Sequence, residues 1–396
     1  MAIPGPVPDP RAAFEGGPPG RRGCVLVIVA IACALLLLGA DLLQSVRSAG
    51  HSVVPFLVAV PLALLPVPLL IGIILLLDRL EPEPRAHLVL SFAWGAGIAA
   101  LVAALINTAG LLFITQPDLG KGTGQYVSAT FGAPVVEETL KGMVLAWLLW
   151  RRRLELDGPT DGIIYAAMVG LGFAMIENVG YYLGALVRPQ LGGVELLGAT
   201  FVFRGLLSPL AHPIFTSMTG IGAAYAATHR KATWAFWLGL LGAMILHGLW
   251  NGLTRFGLGG IVVAYGVLAC VLCVLIAVTI AERRRIVRLI QRFLPDYQAD
   301  GVTDADVRML SSLRARRNAR RGCRRTGGRA AARAMTDFQL AATELALAHQ
   351  REERRSIGEP EFERRKQALV EVMVAAQERS QQHHSGPWPP ERTAAG

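Results

Sequence analysis

Residues 132–147 read GAPVVEETLKGMVLAW, a stretch that is apolar enough to cross a lipid bilayer yet contains three charged residues. Glu137, Glu138 and Lys141 would each cost about 3 kcal/mol at the centre of a membrane. Both glutamates lie one helical turn from the lysine, so the three side chains share one helix face. Selection for stability alone would remove them. The stretch therefore predicts a membrane helix whose polar face points into a helix bundle.

The whole chain has the composition of a polytopic membrane protein. Of its 396 residues, 53% are apolar and 17% are charged, which argues against an ordinary soluble domain. The predicted fold class is all-α, a membrane bundle of about eight transmembrane helices. Windows of roughly 20 apolar residues place these helices at about 24–40, 53–77, 88–114, 127–150, 162–187, 205–227, 233–253 and 259–281.

Three regions follow from the distribution of charge. We predict a disordered cytoplasmic leader at 1–22, a membrane domain at 23–282 and a basic cytoplasmic tail at 283–396. The tail holds 23 Lys and Arg against 14 Asp and Glu, which is nine of the ten net positive charges. Lys and Arg gather on alternate loops, and the positive-inside rule then places both termini in the cytoplasm. A 22-residue leader is long for a signal peptide, so 24–40 is interpreted as a retained span.

The tail combines an arginine run with amphipathic segments. Residues 308–333 contain ten arginines, a pattern typical of chains that lie on anionic lipid headgroups or stay unfolded in water. No nucleic-acid-binding fold signature accompanies this charge, so nucleic acid is not the favoured partner. Amphipathic helices are predicted from Thr336 onward and through Phe362–Val370.

Polar residues of four predicted spans fall at one depth. At about 1.5 Å per residue, they all lie roughly 5–15 Å below the outer surface. One carboxylate there could accept a proton and another could bind a cation. Simpler interpretations are an ion pair between Glu137 and Lys141 that fixes packing, and interfacial roles for the histidines. The residues concerned are Glu137, Glu138, Lys141, Glu177, Asn178, His212, His247 and Asn251.

Four motifs in this set resemble those of a known family. The pattern E-E-x-x-K matches Glu137–Lys141, F-x-x-x-E-N matches Phe173–Asn178, and later histidine motifs match His212 and His247–Asn251. Over roughly residues 60–280 the sequence is similar to the PrsW family of bacterial intramembrane proteases, related to the CAAX-prenyl protease and bacteriocin-processing group.

The resemblance implies a multi-pass protease of the bacterial cell membrane that cleaves membrane-associated proteins such as an anti-sigma factor. It makes Glu137 the general base and gives Asn251 and a histidine the role of stabilising the oxyanion. Lys141 and Asn178 belong to the matched motifs. The remaining site residues would bind a divalent metal such as Zn²⁺ or orient the water: Glu138, Glu177, His212 and His247.

The metal and the function each have alternatives. Members of the CAAX group work through glutamate without a catalytic metal, and their second motif ends in histidine where this chain has Glu177 and Asn178. Both a zinc site and a metal-free site therefore stay open. A transporter or proton relay would also use buried carboxylates and histidines, and a non-catalytic scaffold could present the basic tail. The resemblance implies neither a cleavage site nor an oligomeric state.

Overall fold

The computed structural model of the protein describes residues 21–48, 52–77, 82–187, 190, 192–229 and 231–382. These residues form helices and no β-strand, which confirms the all-α prediction. They fall into two compact units. The membrane unit ends at Val278, and the tail unit begins at Thr279. Nearly all of the predicted leader, 1–22, lies outside the described residues.

The membrane unit is a polytopic helix bundle, as predicted. Among the described residues, seven helices are long and apolar enough to cross a membrane. The span predicted at 127–150 is also helical, but it is not one of those seven helices because it contains three charged residues. The helices of this unit are α1 Arg21–Ser48, α2 Val54–Leu64, α3 Val67–Leu77, α4 Arg85–Trp94, α5 Ala100–Gly110, α6 Gln116–Leu119, α7 Lys121–Val127, α8 Ala133–Arg151, α9 Pro159–Leu186, α10 Val194–Thr200, α11 Ala211–Thr228, α12 Trp234–Leu253 and α13 Gly257–Phe293, which continues into the tail unit.

Wider π-helical turns link several of these helices. They occupy Gly95–Ala99, Leu111–Thr115, Ser128–Gly132 and Phe201–Leu207. The predicted second span is divided between α2 and α3, next to Pro66. A proline removes a backbone donor and breaks the hydrogen-bond ladder of a helix at that point.

Helix α9 lies at the centre of the bundle and is buried along most of its length. A Cβ atom added to Gly162 would lie 2.1 Å from the carbonyl oxygen of Gly220, and one added to Gly170 would lie 2.7 Å from the backbone carbon of His212. Helices α9 and α11 therefore touch backbone to backbone, the type of contact that small residues allow in membranes. This contact brings His212 close to α9.

The start of α9 is fixed by a carboxylate cap. Asp161 Oδ2 accepts hydrogen bonds from the backbone N–H groups of Asp157 at 3.0 Å and Gly158 at 2.8 Å. Pro159 occupies the first turn, where its missing N–H costs nothing.

The tail unit is helical through most of the arginine run, which differs from the alternative of an unfolded segment. Helix α14 spans Asp304–Leu310, α15 spans Leu313–Glu353 and α16 spans Glu359–Gln382. Helix α15 begins at the Ser312 cap and not at Thr336, and it is interrupted at Gly328, whose backbone is not helical. Apolar side chains from α15 on both sides of Gly328 and from α16 share a buried core. Arg316 is buried there, and its guanidinium donates to Leu310 O and Thr343 Oγ1, each at 2.8 Å.

Candidate active site

Lys141 lies at the centre of the buried charges on α8. Its Nζ donates to Glu138 Oε1 at 2.8 Å and lies 3.7 Å from Glu137 Oε2. It also donates to His212 Nδ1 at 2.9 Å. The side chains of Lys141 and Glu138 are fully buried, so each is the nearest counter-charge that compensates the other's loss of hydration.

Glu138 joins three helices of the bundle. Thr216 on α11 donates its hydroxyl to Glu138 Oε2 at 2.9 Å. His247 on α12 places Nδ1 3.0 Å from Glu138 Oε1. Together with Lys141, these contacts engage both oxygens of this carboxylate.

Glu137 has a different environment. Its Oε1 accepts a hydrogen bond from Asn107 Nδ2 on α5 at 3.1 Å. Its Oε2 is buried and makes no hydrogen bond, and it lies 3.9 Å from His247 Nε2. This oxygen is therefore the one whose hydrogen-bonding capacity is not used within the described part of the chain.

Glu177 and Asn178 share one arginine. The guanidinium of Arg204 donates to a carboxylate oxygen of Glu177 and, at 2.8 Å, to Asn178 Oδ1. His212 Nε2 lies 2.9 Å from the same Glu177 oxygen. Because His212 Nδ1 faces the Lys141 ammonium, Nδ1 accepts and Nε2 carries the proton that is donated to Glu177.

Aromatic rings hold the two imidazoles in place. The His212 and His247 rings meet edge to face with centroids 5.0 Å apart, and Phe215 stacks on His247 at 5.1 Å. The Lys141 ammonium lies 3.9 Å from the centre of the Phe173 ring, within the range of a cation–π contact.

Six of the predicted site residues therefore form one contiguous set of contacts, which we call the polar network. Asn178 is connected to it through Arg204. Asn251 is not hydrogen-bonded to the network: its amide donates to the backbone carbonyl of Ala129 at 2.9 Å. The members of the polar network are Glu137, Glu138, Lys141, Glu177, His212 and His247.

The sequence reasoning missed three partners of the network. Asn107 is a lone amide in an apolar span, and that isolation was an available signal. Thr216 lies one turn after His212, so it shares the same helix face. Arg204 falls in the loop between the spans predicted at 162–187 and 205–227, so no role in the site was predicted for it, but it pairs with Glu177.

A cavity of about 630 Å³ borders the network. Glu137, Glu177 and Asn107 line it, together with small residues of α5 and α9. Ligand pockets for small molecules or peptide side chains commonly have volumes of this order. The free oxygen of Glu137 is thus on a residue that faces a space large enough for part of a substrate.

The donor set at this site fits a divalent metal ion. Glu137, His212 and His247 each offer one ligand atom, and these atoms lie within 4.8 Å of one another. The hydrogen bond from His247 Nδ1 to Glu138 is the arrangement that usually orients a metal-binding histidine. The grouping differs from the predicted ligands, because Glu138 and Glu177 already contact Lys141, Thr216 and Arg204. The Lys141 ammonium opposes a cation here.

Comparison with known proteins identifies the family. The family described as "PrsW family intramembrane metalloprotease" matches residues 83–279, a range that contains the whole polar network. The chain belongs to the PrsW family. This confirms the resemblance carried by the four motifs and the assignment of the chain to the peptidases.

Individual relatives agree with this assignment. Protease PrsW of Geobacillus kaustophilus is 29% identical over 180 residues, which cover 44% of this chain and 70% of that protein. Protease PrsW of Clostridioides difficile is 26% identical over 193 residues, covering 47% and 75%. Protease PrsW of Bacillus subtilis is 30% identical over 133 residues, covering 33% and 55%. No solved structure matches this chain.

Proposed function

We propose that this protein is an intramembrane endopeptidase that hydrolyses peptide bonds of membrane-associated proteins with a glutamate-activated water. The observation that carries the proposal is the buried Oε2 of Glu137, which has no hydrogen-bond partner and belongs to a residue that lines the cavity. A general base must reach the proton that it removes. Glu137 meets this requirement and Glu138, enclosed by Lys141, Thr216 and His247, does not.

The other members of the network prepare Glu137 for this role. Asn107 holds Oε1, which leaves Oε2 as the oxygen that takes the proton of the water. The water oxygen then attacks the peptide carbonyl carbon, and Glu137 returns the proton to the leaving amine. The positive charge of Lys141, 3.7 Å from Glu137 Oε2, stabilises negative charge that develops beside this oxygen.

In the metal-dependent alternative, Glu137, His212 and His247 would hold a divalent metal at this site, and Glu137 would then be a ligand of the ion and not the general base. When bound, such an ion supplies Lewis-acid activation of water. Glu138 would then fix the ring of His247, and Lys141 would have to move away from His212 Nδ1. The family description as metalloproteases and the nature of the donor set both support this assignment.

The arrangement favours hydrolysis over a proton relay. A second group of ionisable side chains lies near the start of α9, where Tyr165 donates to Glu83 Oε2 at 2.5 Å. The eleven residues between Tyr165 and Glu177 in α9 are all apolar, a distance of about 18 Å along a helix. A relay needs titratable groups spaced through the membrane, and α9 provides none between these two positions.

A membrane-associated protein, such as an anti-sigma factor, is the substrate class we propose. Residues 23–282 would form the protease domain in a bacterial cell membrane, with both termini in the cytoplasm, as the positive loops suggest. The packing of α1 supports a retained first span, because a Cβ atom on Gly97 would lie 1.8 Å from Ala30 O.

The tail, 283–396, would contact anionic lipid headgroups. Helix α15 exposes seven arginines, at positions 314, 317, 321, 324, 325, 329 and 333, and no acidic residue occurs from 313 to 336. The experiment changes three of these residues to glutamine: Arg317, Arg321 and Arg324. In the full-length protein, these changes should weaken binding of the tail to phosphatidylserine vesicles. The same changes at Arg364 and Arg365, which pair with Glu361, are the control. Equal effects of the two sets would contradict the lipid contact.

The test of the protease assignment uses the full-length protein in liposomes with a set of fluorogenic single-span peptides. Wild type should cleave members of the set, and Glu137→Gln should reduce the rate at least about 1,000-fold while insertion and yield stay normal. Glu195→Gln, which changes an exposed carboxylate on α10, should keep full activity. Full activity of Glu137→Gln would reject the proposed general base.

A further inference from the structure

Asp41 is an acidic residue of the cavity wall that belongs to none of the four motifs. It lies on α1, outside the family match at 83–279, and it lines the same cavity as Glu137 and Glu177. It is seven residues from the end of α1, or about 10 Å along the helix axis.

Asp41 differs from the other acids of the cavity in having no partner among the residues that the structure describes. Glu177 is paired with Arg204, and Glu137 accepts from Asn107. Asp41, by contrast, makes no hydrogen bond and no ion pair with any residue in the described part of the chain. Residues 23–40 before it contain no charged side chain. A lone carboxylate in a membrane helix is costly, and such residues usually face a polar ligand or pathway.

The charge on the cavity wall is one-sided. Three carboxylates line the cavity, and none of its described lining residues is a lysine or an arginine. The negative charges of the two network carboxylates, Glu137 and Glu177, are balanced by Lys141 and Arg204, neither of which lines the cavity. The charge of Asp41 is therefore left for whatever enters the cavity, and a cationic group is its electrostatic complement.

The cavity also has room for a long side chain. Gly180 and Gly184 lie one turn apart on α9 and line it, and a Cβ atom at either position would meet nothing within 4 Å. Ala100, Ala103 and Ala104 form part of the facing wall. A flexible lysine or arginine side chain can extend through such a space to reach a carboxylate.

We infer that Asp41 is a specificity-determining residue, which binds a lysine or arginine side chain of the substrate close to the cleaved bond. This inference rests on the proposed protease function. Asp41 takes no part in bond cleavage itself: it positions the peptide through one ion pair. Substrates would accordingly be membrane segments with a basic residue at a fixed distance from the cleavage site.

The experiment is a lysine scan through a single-span peptide with an acetylated N-terminus, so that the α-amine cannot supply the positive charge. The full-length protein in liposomes should cleave the peptide with lysine at one particular position about tenfold faster, as kcat/KM, than the peptide with glutamine at that position. Asp41→Asn should abolish this preference and leave the rate on glutamine peptides unchanged. Asp41→Lys should instead prefer the peptide that has glutamate at the same position.

Asp118→Asn is the matched control, because Asp118 is an exposed acid that does not line the cavity. It should keep the lysine preference. An Asp41→Asn variant with an undiminished preference would overturn the inference, and so would a wild type that cleaves every register equally. A wild type that cleaves no peptide at all would instead reject the protease function on which the inference rests.

Discussion

His247 Nδ1 lies 3.0 Å from Glu138 Oε1, which turns the opposite ring nitrogen of His247 toward Glu137. The two adjacent glutamates consequently have different surroundings. Glu138 is held by groups on α8, α11 and α12, whereas Glu137 has one free oxygen beside a cavity. A division of labour follows, in which Glu138 maintains the structure of the site and Glu137 performs its chemistry.

This division predicts losses of stability of different size for substitutions of the two glutamates. Glu138→Gln leaves the fully buried Lys141 without its closest counter-charge, and breaking a buried ion pair on one side typically costs about 3–5 kcal/mol. Glu137→Gln keeps an oxygen that can accept from Asn107, so its cost should stay below about 1.5 kcal/mol. Thermal unfolding of both variants in the same detergent measures the difference. Equal losses of stability would contradict it.

Metal binding provides a second prediction. After dialysis against a buffer that contains zinc and no chelator, the purified protein should retain about one zinc ion per chain, measured by elemental analysis. His247→Ala should lose it, and Glu138→Gln should weaken binding by about 10–100-fold because the histidine loses its orienting partner. His229, which stacks on Tyr225 away from the network, provides the control His229→Ala. Stoichiometric zinc in His247→Ala, or none in wild type, would reject Glu137, His212 and His247 as the ligands.

The fold could be predicted from the sequence because lipid permits few alternatives. A segment of 20 apolar residues in a bilayer must satisfy its backbone internally, so each window became a helix. The site could be predicted within each helix for a similar reason. Residues three or four apart share a face, which is why Glu138 and Lys141 were expected to lie together and do.

Contacts between helices are where the sequence was insufficient. The pairing of Arg204 with Glu177 depends on how α9 packs beside the Phe201–Leu207 turn, and no spacing rule encodes that arrangement. Asn251 lies one turn after His247 but donates to Ala129 O, because the Ser128–Gly132 turn passes close to α12. In the tail, the arginine run is helical and contributes to a buried core, although its composition alone left an unfolded chain open as one alternative.

The glycines of α9 give a prediction about the cavity. Gly162 and Gly170 pack closely against α11, but a Cβ atom added to Gly180 meets open space. Gly180→Trp should therefore fold normally, since it also removes a helix-weakening glycine. It should fill the cavity and slow peptide cleavage at least about tenfold.

Gly72→Trp is the matched control for this variant. A Cβ atom added to Gly72 on α3 would also meet nothing within 4 Å, but Gly72 does not line the cavity. Cleavage by Gly72→Trp should equal that of wild type. If Gly180→Trp is as active as this control, the cavity beside Glu137 is not where the substrate lies.

The tail unit should lose stability in mild acid through His349. Its ring stacks on Phe293 with centroids 4.6 Å apart, and Tyr297 Oη lies 2.7 Å from Nε2. Burial lowers the pKa of His349 below its ordinary value of about 6.5, because the charged ring loses its hydration. A group with a lowered pKa in the folded state stabilises the fold fully above the unfolded pKa, and this contribution declines as the pH falls from about 6.5 toward the folded pKa.

Hydrogen exchange of the full-length protein in detergent tests this prediction. Protection factors for α15 and α16, corrected for intrinsic exchange, should be constant between pH 8 and pH 7 and should fall at pH 5.5. His349→Leu removes the titrating ring and should flatten this dependence, whereas His229→Ala in the membrane unit should not alter it. Protection that is equal at pH 7.5 and pH 5.5 in wild type, or a fall of the same size in His349→Leu, would show that the aromatic cluster around His349 does not respond to protonation.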